Sequence, residues 1–120
     1  MDHSFRSDAP LYPQIAAWLK RAIVDGAFPT GERLPSIREL ALRLSVTPNT
    51  LQRALQLLES EGLIYTERTN GKFVTGDGAR LAKLREELLR GQVRTLADDL
   101  RRCGYTKEEV IVCLVAEWEK

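Results

Sequence analysis

The dipeptide Thr47-Pro48 constrains this chain more than any other feature. Inside a helix, proline removes a hydrogen bond and clashes with the carbonyl four residues back. At the first helical position it costs nothing, because that N–H has no intrahelical partner and the fixed φ already suits the turn. Threonine immediately before it is a good N-cap. Thr47-Pro48 therefore opens a helix rather than breaking one. Leu51, Ala54, Leu55 and Leu58 give this helix an apolar stripe, and Gly62 closes it. Upstream, Ser36 and Glu39 have capping-box spacing, followed by Ile37, Leu40, Ala41 and Leu44 on one face. That helix ends near Ser45-Val46. Helix, a turn of about three residues, then helix is helix-turn-helix spacing.

The flanks complete a domain. Ile15, Trp18, Leu19, Ala22 and Ile23 predict an amphipathic helix from Leu11 or Pro13 to Asp25, stopped at Gly26. AFPTGERLP, with Pro29, Gly31 and Pro35, reads as a turn-rich connection. After Gly62 the period changes. LIYTER (63–68) and KFVT (72–75) read as strands, and Asn70-Gly71 as a two-residue type I′ turn between them. Three helices and a hairpin make a winged helix-turn-helix over 9–75, with the helix-turn-helix at about 37–56 and the wing at 63–75.

Thr75-Gly76-Asp77-Gly78 reads as a short linker, and 79–120 as a two-helix tail. Leu81, Leu84, Leu88, Val93, Leu96 and Leu100 mark its first helix, which runs to about Arg102 with Gly91 as a place to bend or break. Gly104 ends it. Thr106 to Glu109 is a second capping box, and Val110, Ile111, Leu114, Val115 and Trp118 share one face of the last helix. The expected fold class is mainly α with a small β-hairpin.

Composition narrows the function. The formal net charge is +1, so any nucleic-acid binding must come from how charges are placed. There is no run of eighteen apolar residues to span a membrane, and MDHSFRSDAPLYP lacks the apolar core of a signal peptide, so a cytoplasmic protein is expected. Cys103 and Cys113 lack metal-ligand spacing and read as small buried hydrophobes. The only histidine is His3. No Ser/His/Asp set, metal cluster or phosphate-binding glycine loop is present, so neither an enzyme nor a cofactor is expected.

The stretch GERLPSIRELALRLSVTPNTLQRALQLLESEGLIYTERTNGKFV (31–74) closely resembles the DNA-binding domain of GntR-family bacterial transcription regulators. Gly31, Leu34-Pro35-Ser36, Arg38, Leu40-Ala41, Val46, Asn49-Thr50, Ala54-Leu55, Gly62-Leu63-Ile64 and Gly71-Lys72-Phe73-Val74 carry the likeness. PLYPQIAAWLKRAIVDGAF is similar to the family's first helix. The short tail, with Gly104 and Glu108-Glu109, is similar to that of the YtrA subfamily.

In such a fold the third helix enters the major groove by its N-terminal end, bringing Thr47, Asn49, Thr50, Gln52 and Arg53 to DNA. Thr47 can cap the helix and bond a phosphate at its positive end. Asn49 and Gln52 carry amides suited to adenine, and Arg53 a fork suited to guanine. The resemblance implies DNA contacts for Arg38 and Thr50, and an approach of Gly71 and Lys72 at the wing tip to the minor groove. The chain departs from many members at Pro48 and Gln52, where they carry arginine, which implies a different operator.

About forty residues of helical hairpin bury little surface unaided. Leu84, Leu88, Leu96, Leu100, Val110, Ile111, Leu114, Val115 and Trp118 are therefore expected at a homodimer interface, and the resemblance points the same way. The expected function is a dimeric repressor on an inverted-repeat operator in double-stranded DNA. With 120 residues, the full effector domain of larger members is not expected here. A small molecule near Trp118 and Cys103 is left open, although Trp118 reads first as helix packing. The alternative is a winged helix that binds a protein instead of DNA.

Overall fold

The computed structural model describes residues 4–120. The element order is α1 (Leu11–Val24), α2 (Ile37–Leu44), α3 (Pro48–Ser60), β1 (Ile64–Glu67), β2 (Gly71–Val74), α4 (Gly78–Arg102) and α5 (Lys107–Trp118). The chain divides into two compact units, one up to Arg85 and one from Glu86 to Lys120. The first is a three-helix winged helix-turn-helix. Its core is apolar throughout: Ile15, Leu19 and Ala22 of α1, Leu40 and Leu44 of α2, and Leu51, Ala54, Leu55 and Leu58 of α3 are buried. Trp18 is half-buried and meets Phe28 edge to face, with centroids 6.0 Å apart.

The caps behave as their chemistry demands. Ser36 Oγ accepts the Glu39 N–H at 3.1 Å, while the Glu39 carboxylate lies 3.8 Å from Arg43 one turn on. At Thr106 the reciprocal box is complete, with Glu109 N–H donating to Thr106 Oγ1 and Thr106 N–H to Glu109 Oε1. At the far end of α3, Glu61 accepts from two other helices: Lys20 Nζ approaches its carboxylate at 2.9 Å, and Arg80 Nε donates to its carbonyl at 2.7 Å.

The wing differs from expectation in two respects. β1 and β2 pair antiparallel with Ile64 opposite Val74 and Glu67 opposite Gly71. That register leaves Arg68, Thr69 and Asn70 as the loop. A two-residue type I′ turn needs positive φ at both central positions, yet only Gly71 has it, at 96°. The Asn70 N–H instead closes a turn onto the Glu67 carbonyl at 3.3 Å. Second, the stretch read only as a connection also borders the sheet. The Leu34 N–H donates to the Lys72 carbonyl at 2.8 Å, the Val74 N–H to the Glu32 carbonyl at 3.0 Å, and Arg33 bridges Phe73. Residues 31–34 thus cover the outer edge of β2, which would otherwise expose unpaired backbone.

The tail also corrects several expectations. Leu84, expected at the dimer interface, is 1% exposed within the first unit, so it completes that unit's core. α4 continues through Gly91 as α-helix. In the second unit Cys103 and Cys113 are exposed rather than buried, and Trp118 is 80% exposed rather than packed. Two helices alone have no third element to cover these side chains.

Candidate nucleic-acid interface

The N-terminal turn of α3 projects from the turn Ser45–Thr47. Ser45 takes the left-handed conformation (φ 57°, ψ 46°), and the following Val46 N–H returns to the Ala41 carbonyl at 3.0 Å. This tight reversal aims the next helix. Thr47 then caps α3: its Oγ1 accepts the Thr50 N–H at 3.3 Å and lies 2.8 Å from Thr50 Oγ1. Only one hydroxyl proton is used between the two threonines, so the other remains for an outside acceptor. The uncompensated N–H groups and helix dipole beside it favour an anion. Thr47→Ala should lower stability by about 1 kcal/mol, read as a shifted urea midpoint at unchanged slope.

Helical period separates two faces of α3. Leu51, Ala54, Leu55 and Leu58 are buried, Asn49, Gln52 and Arg53 are exposed, and Thr50 is half-buried. The Arg53 guanidinium carbon sits 4.2 Å from the centre of the Tyr12 ring on α1. A shallow open hollow there is lined by Pro10, Leu11, Tyr12, Asn49, Thr50 and Arg53. Sequence reasoning missed Tyr12, because its partner is remote along the chain and no periodicity links them.

Arg38 stands in the first turn of α2, exposed and with no ion pair or hydrogen bond among the described residues. Gly71 and Lys72 lie at the wing tip. The positive φ of Gly71, 96°, favours glycine, while a Cβ there would meet only the end of the exposed Arg33 side chain, at 3.0 Å from Nε. Arg33 is the second residue that the sequence did not single out. Lys72 is engaged: its ammonium bonds Thr66 Oγ1 at 2.8 Å and lies 3.6 Å from Glu59, to which Thr66 also donates. Lys72 therefore straps the wing to α3.

Ahead of α1, Gln14 folds the preceding segment back. Its Oε1 accepts the Arg6 N–H at 2.6 Å and its Nε2 donates to the Arg6 carbonyl at 2.8 Å. Arg6 also forks onto Asp8 at 3.0 and 2.8 Å. The hydrogen bond to Arg6 holds the Asp8 carboxyl below its usual range, and the same bond raises the guanidinium above its own. His3 lies outside the described residues. Among the described residues, no cluster of three or more His, Cys, Asp or Glu side chains could hold a metal, and no helix is long and apolar enough to cross a membrane.

The profile described as "Bacterial regulatory proteins, gntR family" matches residues 11–74. The chain is 33% identical over 111 residues to the uncharacterised HTH-type transcriptional regulator YhcF of Bacillus subtilis, covering 92% of each. It is 32% identical over 106 residues to the HTH-type transcriptional repressor YtrA of the same organism, covering 88% of this chain and 82% of YtrA. Among solved structures, a GntR family transcriptional regulator from Listeria monocytogenes superposes with a TM-score of 0.84 at 34% identity, over 93% of this chain and 98% of that one.

Proposed function

Because the chain belongs to the gntR family of bacterial regulatory proteins, we propose that it works as a homodimeric repressor on an inverted-repeat operator. It is a DNA-binding helix-turn-helix transcription regulator and not an enzyme. The observation that carries the proposed operator contact is the exposed N-terminal turn of α3, with Thr47, Asn49, Gln52 and Arg53 outward. This turn enters the major groove. Asn49 and Gln52 present amides to adenine edges, and Arg53 presents its fork to guanine. Thr47 and Thr50 bond phosphate through the spare hydroxyl proton. Arg38 contacts DNA from the start of α2. The wing tip at Gly71 approaches the minor groove, with Lys72 holding the wing in place. The DNA-binding domain spans 9–75 and the dimerisation tail 79–120, less Leu84, which the first unit's core consumes.

The dimer rests on the second unit's surface. Leu89, Val93, Leu96, Ile111, Val112, Leu114, Val115 and Trp118 are all exposed large apolar residues within Glu86–Lys120. So much apolar surface on so short a segment favours burial against another chain. A second copy is the occupant, since two-fold homodimers are the commonest assembly and the reading heads of a dimer need to be paired. Two recognition helices would then meet successive major-groove faces about 34–36 Å apart. A dimer seated on a promoter blocks polymerase, and YtrA is named a repressor. The site of action is the cytoplasm, where bacterial DNA lies.

The test is selection of sites from random duplex DNA at two salt concentrations. An enriched inverted repeat, bound more weakly at high salt, is the expected result. Arg38→Ala should weaken binding to the selected site by about 1–3 kcal/mol if it reads a base. The near-neutral net charge keeps a protein-binding winged helix as the rival. That rival predicts neither enrichment nor salt dependence.

A further inference from the structure

The geometry points to Tyr12 as a positioning residue that holds the Arg53 guanidinium ready to read DNA, although it lies on a different helix from the reading surface. This rests on the operator reading above and deepens it. Arg53 is exposed, and its contact with the Tyr12 ring, at 4.2 Å, is the one interaction of its guanidinium among the described residues. An arginine on a helix surface samples many rotamers, and ordering them opposes binding. A guanidinium lying on an aromatic face loses much of that freedom in advance. A guanidinium held over a ring spends no N–H on a hydrogen-bond acceptor, so its donors stay available. Those are the donors that pair bidentately with guanine or phosphate.

Tyr12 is itself well placed to serve. It lies in the first turn of α1 and is half-buried, so its ring is held by the fold. α1 buries Ile15, Ala16 and Leu19, which fix its position in the core beside α3. Gln14 fastens the segment before the helix to its first turn through Arg6. The hollow flanked by Tyr12, Asn49, Thr50 and Arg53 is open, so Arg53 remains accessible to a ligand while it lies over the ring. Tyr12 is thus a specificity determinant acting through Arg53, without itself reading a base.

The test uses the full chain and the operator selected by the wild type. Affinities are measured for that site and for its single-base variants. Arg53→Ala should flatten the preference at one base step in each half-site. Tyr12→Leu should flatten the same step by about 2- to 5-fold, the effect of an exposed cation–π contact, and leave the other steps unchanged. Tyr12→Phe keeps the ring and should restore the wild-type preference. Adding Tyr12→Leu to Arg53→Ala should change nothing further. Should the leucine variant fold poorly, Tyr12→Met supplies the same loss of ring with a more adaptable side chain.

Equal weakening at every base step, or additive effects in the double variant, would overturn the role of Tyr12. So would an Arg53→Ala effect without base preference. A wild type that enriches no site overturns the operator reading and this role with it. A wild type that selects a site while Tyr12→Leu keeps every preference overturns the Tyr12 role alone.

Discussion

Val115→Asp combined with Trp118→Asp should turn the protein into a monomer and weaken its hold on the full operator by about 100- to 10,000-fold. Both side chains are more than half exposed on α5, so neither supports a core within the chain. In the proposed dimer they are covered. An aspartate there must be desolvated without a partner or stay in water and keep the chains apart. The first unit, with its own core, remains folded. What disappears is the linkage of two reading heads. In the dimer the second half-site is engaged at the high effective concentration set by the first. Sedimentation equilibrium at micromolar concentration reads the mass, and titration of whole and half operators reads the affinities. Binding to a half-site should be nearly unchanged. A wild-type protein that sediments as a monomer would sink the proposal.

Leu58→Ala should lower the stability of the first unit by about 2–5 kcal/mol. Leu58 is fully buried near the C-terminal end of α3, the helix that packs on α1, α2 and β1. Truncation removes the transfer energy of the side chain and leaves a cavity that the apolar neighbours fill only in part. Against a total near 5–15 kcal/mol for a domain, such a loss brings the folded population close to failure in warm solution. Gln56→Ala, two residues away but exposed, should change stability by less than about 0.5 kcal/mol. Urea denaturation of the two variants side by side gives the comparison.

The helices were legible because their signals are local. Pro48 and Thr47 announce a start within adjacent residues, and Gly26, Gly62 and Gly104 take the positive φ that ends a helix. The features that escaped depend on partners remote in sequence. Residues 31–34 show no strand alternation, since a short edge is defined by backbone bonds to β2. Asn70-Gly71 suggested a tight turn, but pairing of Glu67 with Gly71 set a longer loop. Leu84 and Leu96 belong to one apolar series on α4, yet the first is buried and the second exposed. Period identifies a sticky face without saying what it faces. The exposed residues of α3 were visible as the complement of its buried stripe. Tyr12 and Arg33 were not, because each matters through a contact with a distant element.

The division of α3 into a buried and an exposed face has a consequence for descent. Leu51, Ala54, Leu55 and Leu58 answer to the core, while positions 49, 52 and 53 make up the exposed side and support no part of that core. Surface substitutions of this kind usually change stability little. A duplicated copy of the gene can therefore wander through new residues at these three positions while its product still folds. Recognition can diverge between descendants long before the scaffold does, and one architecture can come to serve many promoters.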